Sequence, residues 1–177
     1  MSRERLWAVI QAFGGEKWAK DGWPRPPTQM EIRCLTYLAL AHGVHGLFYF
    51  SYPEVRRHPA SWKGLKRIVG ELRQLRTWLV LPNERTSLRL EMISPFKADA
   101  AGRPAVHFCQ KQRQGEHLLI LVNVINQPVN FFLHGFPPGV TGVTEFFLRR
   151  PGVILDGNLR EELGPYEVRL YSYRQGD

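Results

Sequence analysis

The residues best placed to do chemistry gather near the start of this sequence, in VIQAFGGEKW, residues 9–18. Gln11 is a polar, uncharged side chain at the point where an apolar segment empties into a glycine-bearing loop. It cannot ionise, but its amide offers a carbonyl acceptor and two N–H donors. Glu16, five residues on, is the nearest carboxylate; an exposed loop glutamate is its simpler reading. Trp18 and Trp23 follow in the same loop, where tryptophan has no packing duty obvious from the sequence. They serve either as a binding surface or as anchors for a long loop. Elsewhere the chemistry is sparse. His42 and His45 are three apart, but Gly43 breaks the helix between them, and the other four histidines (His58, His107, His117, His134) show no metal-ligand spacing. There is no Gly-x-Ser-x-Gly elbow and no phosphate-binding glycine-rich loop. Asn123 and Asn126 precede Pro128, a setting in which asparagine usually makes a turn. No metal and no cofactor are expected.

The elements that must position these residues alternate in the first half. LWAVIQAF, residues 6–13, is apolar on both faces, as a strand covered on both sides must be. A Pro-rich loop leads to TQMEIRCLTYLALAHG, a helix with both ends marked. Thr28 is its N-cap, and Glu31, three residues on, completes a capping box. Ile32, Leu35, Leu38 and Ala39 recur at helical spacing, and Gly43 supplies the stop. VHGLFYFSY, residues 44–52, reads as a second apolar strand. A second helix, about 61–79, carries Trp62, Leu65, Ile68, Val69, Leu72 and Leu75 on one stripe. Strand–helix–strand at this spacing implies a right-handed parallel crossover. After Pro82 the character changes. Seven short strand-like runs, from SLRLEMIS to YEVRLYSY, are separated by turn formers such as AGRP, INQP, FPPG and LGP. The expected fold class is therefore α/β plus all-β: a β-α-β-α segment over 1–82, then a small antiparallel β-sandwich over 83–177.

Composition narrows the partners. With 44% hydrophobic residues in 177, the chain can bury a real core, and 23% charged with 12% aromatic residues is not the make-up of a disordered chain. No apolar run reaches the ~20 residues of a membrane span, so no membrane partner is expected. MSRERLW has no apolar h-region, so nothing in it reads as an export signal. The net charge of +8 raises nucleic acid as a partner. However, the densest basic set (Arg56, Arg57, Lys63, Lys66, Arg67, Arg73 and Arg76) lies mostly on the solvent side of one amphipathic helix, beside no nucleic-acid motif. No nucleic-acid partner is expected. Cys34 and Cys109 are far apart and read as two buried thiols.

Two parallel βα units cannot close a domain, because both strands want neighbours and a flat apolar edge invites aggregation. The sequence thus looks like the tail of something larger, or a chain that borrows strands. WAVIQAFGGEKW…PRPPTQMEIRCLTYLALAHGVHGLFYFSY followed by SWKGLKRIVGELRQL resembles the last two βα units of a (β/α)8-barrel glycoside hydrolase. The likeness lies in the P-T-x-x-E-x-R helix start, the A-x-x-x-G-x-x-G helix-to-strand joint and the aromatic close of the last strand. LLILVNVINQPVNFFL and LGPYEVRLYSY are similar to the β-sandwich that follows many such barrels, so the resemblance covers about 6–174.

It implies a partial (β/α)8 barrel whose upstream units are missing or supplied by another chain that covers the open sheet edge. Its implied ligand is a carbohydrate. Reactive groups in such barrels sit at C-terminal strand ends, and Gln11 falls where the retaining members usually hold the glutamate nucleophile. Retention needs two carboxylates, and Gln11 cannot form the covalent ester. No carboxylate pair is identifiable, so the isolated chain is not expected to be catalytically competent; Glu16 is the weak substitute. Phe50 matches the place where the eighth strand presents a tryptophan under the sugar ring. With Gln11, Trp18, Trp23 and Tyr52 it forms the expected substrate-binding set, although aromatics in a strand are more often core and Gln11 reads equally well as a tie on the loop backbone. The alternatives are a non-catalytic carbohydrate-binding module and a protein-interaction domain.

Overall fold

In the computed structural model, which describes residues 5–175, the chain separates into two compact units that divide between Val80 and Leu81. The first contains β1 (Trp7–Gln11), a 3-10 helix (Glu16–Asp21), α1 (Gln29–Ala41), β2 (Gly46–Phe50), α2 (Tyr52–Arg56), α3 (Pro59–Gln74) and α4 (Arg76–Leu79). β1 and β2 pair in parallel, from Trp7 beside Gly46 to Gln11 beside Phe50. Among the described residues they form a two-stranded sheet.

The start of α1 is fixed by the capping box anticipated from sequence. The Glu31 amide donates to Thr28 Oγ1 (3.2 Å), and the Thr28 amide donates to Glu31 Oε2 (2.7 Å). Arg25 adds two parallel N–H donors to the Glu31 carboxylate at 2.7 and 2.8 Å. These hydrogen bonds hold the Glu31 carboxyl at about 2, well below the usual range. The helix buries Ile32, Thr36, Tyr37 and Leu40, whereas Leu35 of the expected stripe is exposed. α1 and α3 are joined through Glu71, which accepts from Arg33 Nε at 2.8 Å and from the hydroxyl of the fully buried Tyr37 at 2.9 Å. The single long helix read from sequence is interrupted at the buried Leu75, where φ −86 and ψ 0 separate α3 from α4. α2 carries Pro53 in its first turn, immediately after Tyr52, where the fixed φ of proline suits a helix.

Period-two alternation sorts β1 and β2 into two faces. Ala8, Ile10, Leu47 and Tyr49 pack with Ile32, Leu65, Ile68 and Val55 in one apolar cluster against the helices. On the other face Trp7, Val9, Phe48 and Phe50 are 52%, 66%, 57% and 50% exposed. The double-sided cover expected for β1 is therefore one-sided among the described residues. Trp7 reaches across to stack on Phe48, ring centres 5.1 Å apart. Gly46 makes this possible, because a Cβ there would lie 2.2 Å from the Trp7 ring.

The second unit contains β3 (Arg89–Met92), β4 (Val106–Arg113), β5 (Glu116–Asn123), β6 (Val129–His134), β7 (Gly142–Glu145), β8 (Pro151–Leu155), β9 (Asn158–Leu163) and β10 (Val168–Arg174). All pair antiparallel in the order β3-β6-β9-β8-β7-β10-β5-β4. The sequence suggests two separate sheets; the structure has one continuous curled sheet, because β7 and β8 pair and join its halves. Inward residues from both halves, among them Leu119, Leu121, Phe131, Leu133 and Leu163, share one core. Two tight hairpins set the register. Gln114–Gly115 and Asp156–Gly157 each place both central residues at positive φ, the geometry of a type I′ turn, which matches the strand twist. Each unit holds one buried cysteine, Cys34 on α1 and Cys109 on β4; burial pushes both thiols up to about 11.

A polar cluster lies at the buried end of β4 and β5. Gln110 Oε1 accepts from Tyr173 and Thr86 (3.0 Å each), and Gln110 Nε2 donates to His117 Nδ1 (2.9 Å) and Glu84 (3.2 Å). The His117 proton therefore sits on Nε2, which is buried without a partner among the described residues. The ring stacks on Tyr173 at 4.7 Å. Burial lowers the His117 pKa below 6.5, and the nearby Glu84 carboxylate only partly opposes it. Above 6.5 the ring is neutral folded or unfolded; below it the unfolded chain takes the proton first, so stability falls with pH. Urea midpoints measured about one pH unit either side of 6.5 should differ, and the difference should shrink in His117→Gln. An equal difference in that variant would place the acid sensitivity elsewhere.

Candidate functional site

The C-terminal ends of β1 and β2 bring together most of the residues singled out from sequence. Gln11 and Phe50 are register partners at the last rung, and the Ala12 amide donates to the Phe50 carbonyl at 2.6 Å. The Phe50–Ser51 peptide that follows is cis. Gln11 shares the exposed sheet face with Val9 and Phe50, since alternate residues of a strand point the same way. Its side-chain Nε2 donates to the Phe13 carbonyl at 3.0 Å, so the amide braces the corner where the strand becomes loop.

That corner is built on Phe13, which in the sequence is simply the last apolar residue of the first strand segment. Its buried ring lies 4.6 Å from Trp18, 5.0 Å from Trp23 and 5.4 Å from Phe50. Trp18 and Trp23 also meet each other edge to face at 6.3 Å, an arrangement favoured by the aromatic quadrupole. The only sequence signal for this hub is an aromatic directly before Gly14–Gly15 in a loop rich in tryptophan. The loop returns tightly enough that a Cβ on Gly14 would fall 2.0 Å from the Arg25 carbonyl oxygen, at a φ of +159. Only glycine fits there. The Gly15 amide donates to the Trp23 carbonyl (2.9 Å), and the Trp23 amide donates to the Trp18 carbonyl (3.0 Å).

Trp18 is half-buried, with its indole Nε1 shielded and unpartnered among the described residues. The Lys17 ammonium sits 5.0 Å above its ring. Trp23 remains 39% exposed and Phe50 half-exposed, so the cluster presents aromatic surface to solvent. Glu16 is exposed at the first position of the 3-10 helix, whose two cationic neighbours are Lys17 and Lys20. Tyr52 stands apart from the cluster. It packs edge-on against Trp62 at 5.6 Å and carries the Arg56 guanidinium 5.5 Å over its ring. Glu54, the other carboxylate of this region, is engaged by Arg57 at 3.2 Å and Lys17 at 3.7 Å. Among the described residues no group of three His, Cys, Asp or Glu could hold a metal ion, and no helix is long and apolar enough to cross a membrane. The site thus offers aromatic faces, one strand-end amide and a fringe of cations.

No family model and no curated protein matches this sequence. Solved structures do match its fold. An α-amylase from Geobacillus thermoleovorans, complexed with acarbose, aligns with a TM-score of 0.58 at 16% identity, over 98% of this chain and 40% of that one. AmyP in complex with maltose gives 0.60 at 13% identity, over 95% of this chain and 40% of the other. A putative α-galactosidase from Bacteroides fragilis gives 0.57 at 13% identity, over 96% and 33%. The chain therefore spans two-fifths or less of the length of these relatives, and at such identities the likeness is one of fold. In fold, this chain is similar to part of a glycoside hydrolase.

Proposed function

We propose that this chain is the C-terminal portion of a glycoside-hydrolase-like protein that contacts carbohydrate. Its first unit would be the last two βα units of a (β/α)8 barrel and its second unit the β-sheet domain that follows. The observation that carries this is the one-sided burial of β1 and β2. Their helices cover one face, and the other shows Trp7, Val9, Phe48 and Phe50 with Gln11 and the Phe13 cluster at its C-terminal end. In a closed barrel that other face is the packed interior, and the C-terminal strand ends carry the binding residues. The acarbose and maltose held by two of the structural relatives support a sugar as the ligand.

Gln11 takes the strand-end place of a nucleophile without being one, and Glu54 is neutralised by two cations. With no second carboxylate beside Glu16 among the described residues, those residues do not complete the two-carboxylate mechanism. Purified protein should release nothing from a panel of aryl glycosides. Turnover that disappears in Glu16→Gln would overturn that. In polysaccharide affinity gels the chain should be retarded, and Trp23→Ala or Phe50→Ala should run freely. Unchanged mobility of the parent chain in every gel would count against a sugar ligand.

The same exposed face favours a second role as a docking surface for further parallel strands, since large contiguous apolar patches are rare on monomers. Light scattering after size exclusion should show concentration-dependent association that falls in Val9→Ser/Phe48→Ser. A monomer at all concentrations would remove that role.

A further inference from the structure

Immediately beyond Phe50, the first turn of α2 opens a recess of about 370 Å³ lined by Tyr52, Pro53, Arg56 and Arg57. That volume lies within the ~300–1,000 Å³ of small-molecule sites. Tyr52 is 53% exposed, and its contact with Trp62 fixes its ring. Arg56 lies along that ring and donates from Nη1 to the Tyr52 hydroxyl at 3.3 Å, which holds the guanidinium in place. Among the described residues no carboxylate pairs with Arg56, whereas Arg57 shares its charge with Glu54. A neutral sugar hydroxyl can accept a single N–H but does not compensate a pre-oriented guanidinium without a counter-charge. A carboxylate or sulfate does, because the planar fork matches its oxygens two at a time, and the tyrosine face can cover the apolar C–H side of the attached ring.

We infer that this recess binds the acidic group, a carboxylate or a sulfate ester, of an anionic sugar. The inference rests on the carbohydrate reading proposed above and narrows it to acidic glycans.

Titration calorimetry of the whole chain tests it with an oligogalacturonate, its methyl ester, a sulfated oligosaccharide, maltotriose and a single-stranded oligonucleotide. Tighter binding of the oligogalacturonate than of its methyl ester, by about tenfold or more, is expected, with a similar loss in Arg56→Gln and none in Arg73→Gln, an exposed arginine outside the recess. Binding of the sulfated sugar alone, with the same dependence on Arg56, also supports the site and names sulfate as the group. Equal binding of maltotriose and oligogalacturonate, unaffected by Arg56→Gln, overturns the recess and leaves the carbohydrate function standing. Binding of the oligonucleotide weakened equally by both arginine substitutions overturns it in favour of unspecific charge attraction. Failure of every sugar to bind overturns both readings.

Discussion

Truncating Phe131 to alanine is expected to cost the eight-stranded unit about 3–5 kcal/mol. The side chain is fully buried at the middle of β6, between Met92 on β3 and Glu161 on β9 in register, and it lies in the shared core with Leu119, Leu121, Leu133 and Leu163. Removing a ring from close-packed surroundings loses its transfer free energy and leaves a cavity that the curled sheet can only partly collapse. Typical domains have about 5–15 kcal/mol in total, so the loss would consume a large part of this unit's stability. Phe132, the next residue, points to the opposite face and is only partly buried. Its alanine variant should cost about 1 kcal/mol or less. Urea titrations of the two variants should separate clearly, and equal midpoints would mean that the core is not where the alternation puts it.

Phe13→Ala should have the second large effect, and it bears on function. Three aromatic neighbours depend on this ring, so the expected cost is about 3 kcal/mol or more, including roughly 0.5–1.5 kcal/mol for each ring pair. Trp18 and Trp23 would lose their common floor, and the loop from Gly14 would no longer be pinned above β1. Near-UV circular dichroism should lose intensity in this variant, and retardation by polysaccharide should vanish with it. Phe13→Leu, which keeps most of the volume without the ring faces, should recover much of the stability and less of the dichroism. An unchanged near-UV spectrum in Phe13→Ala would show that the tryptophans are held by something else.

Much of the architecture was legible where a local rule is strong. The Thr28–Glu31 pair announced the start of α1 because both halves of the capping box are read three residues apart. The apolar stripe of α3 was visible because its basic residues occupy the opposite side. Other features hide behind ordinary-looking residues. β9 is NLREEL, whose Arg160, Glu161 and Glu162 read as loop; it is a strand because the Asp156–Gly157 turn folds it back on β8 and β6 pairs on its other side. α2 was masked by Pro53, which signals a break in the interior of a helix but fits its first turn. The assembly of one continuous sheet depends on long-range pairings, β6 with β3 and β9 and β10 with β5 and β7, that no local pattern encodes. At the candidate site, the strand ends and the loop tryptophans were apparent, yet their gathering on Phe13 was not, because an apolar residue at a strand end carries no mark of being a hub.

The two thiols have an experimental use. Cys34 and Cys109 are sealed in different units, and the nucleophile in alkylation is the thiolate, which a value of about 11 makes scarce near neutral pH. A maleimide or iodoacetamide pulse therefore marks only molecules that have opened locally around one sulfur or the other. Peptide mapping of the labelled sites would time the breathing of the helical part and of the β-rich part separately, in one sample and without any engineered probe.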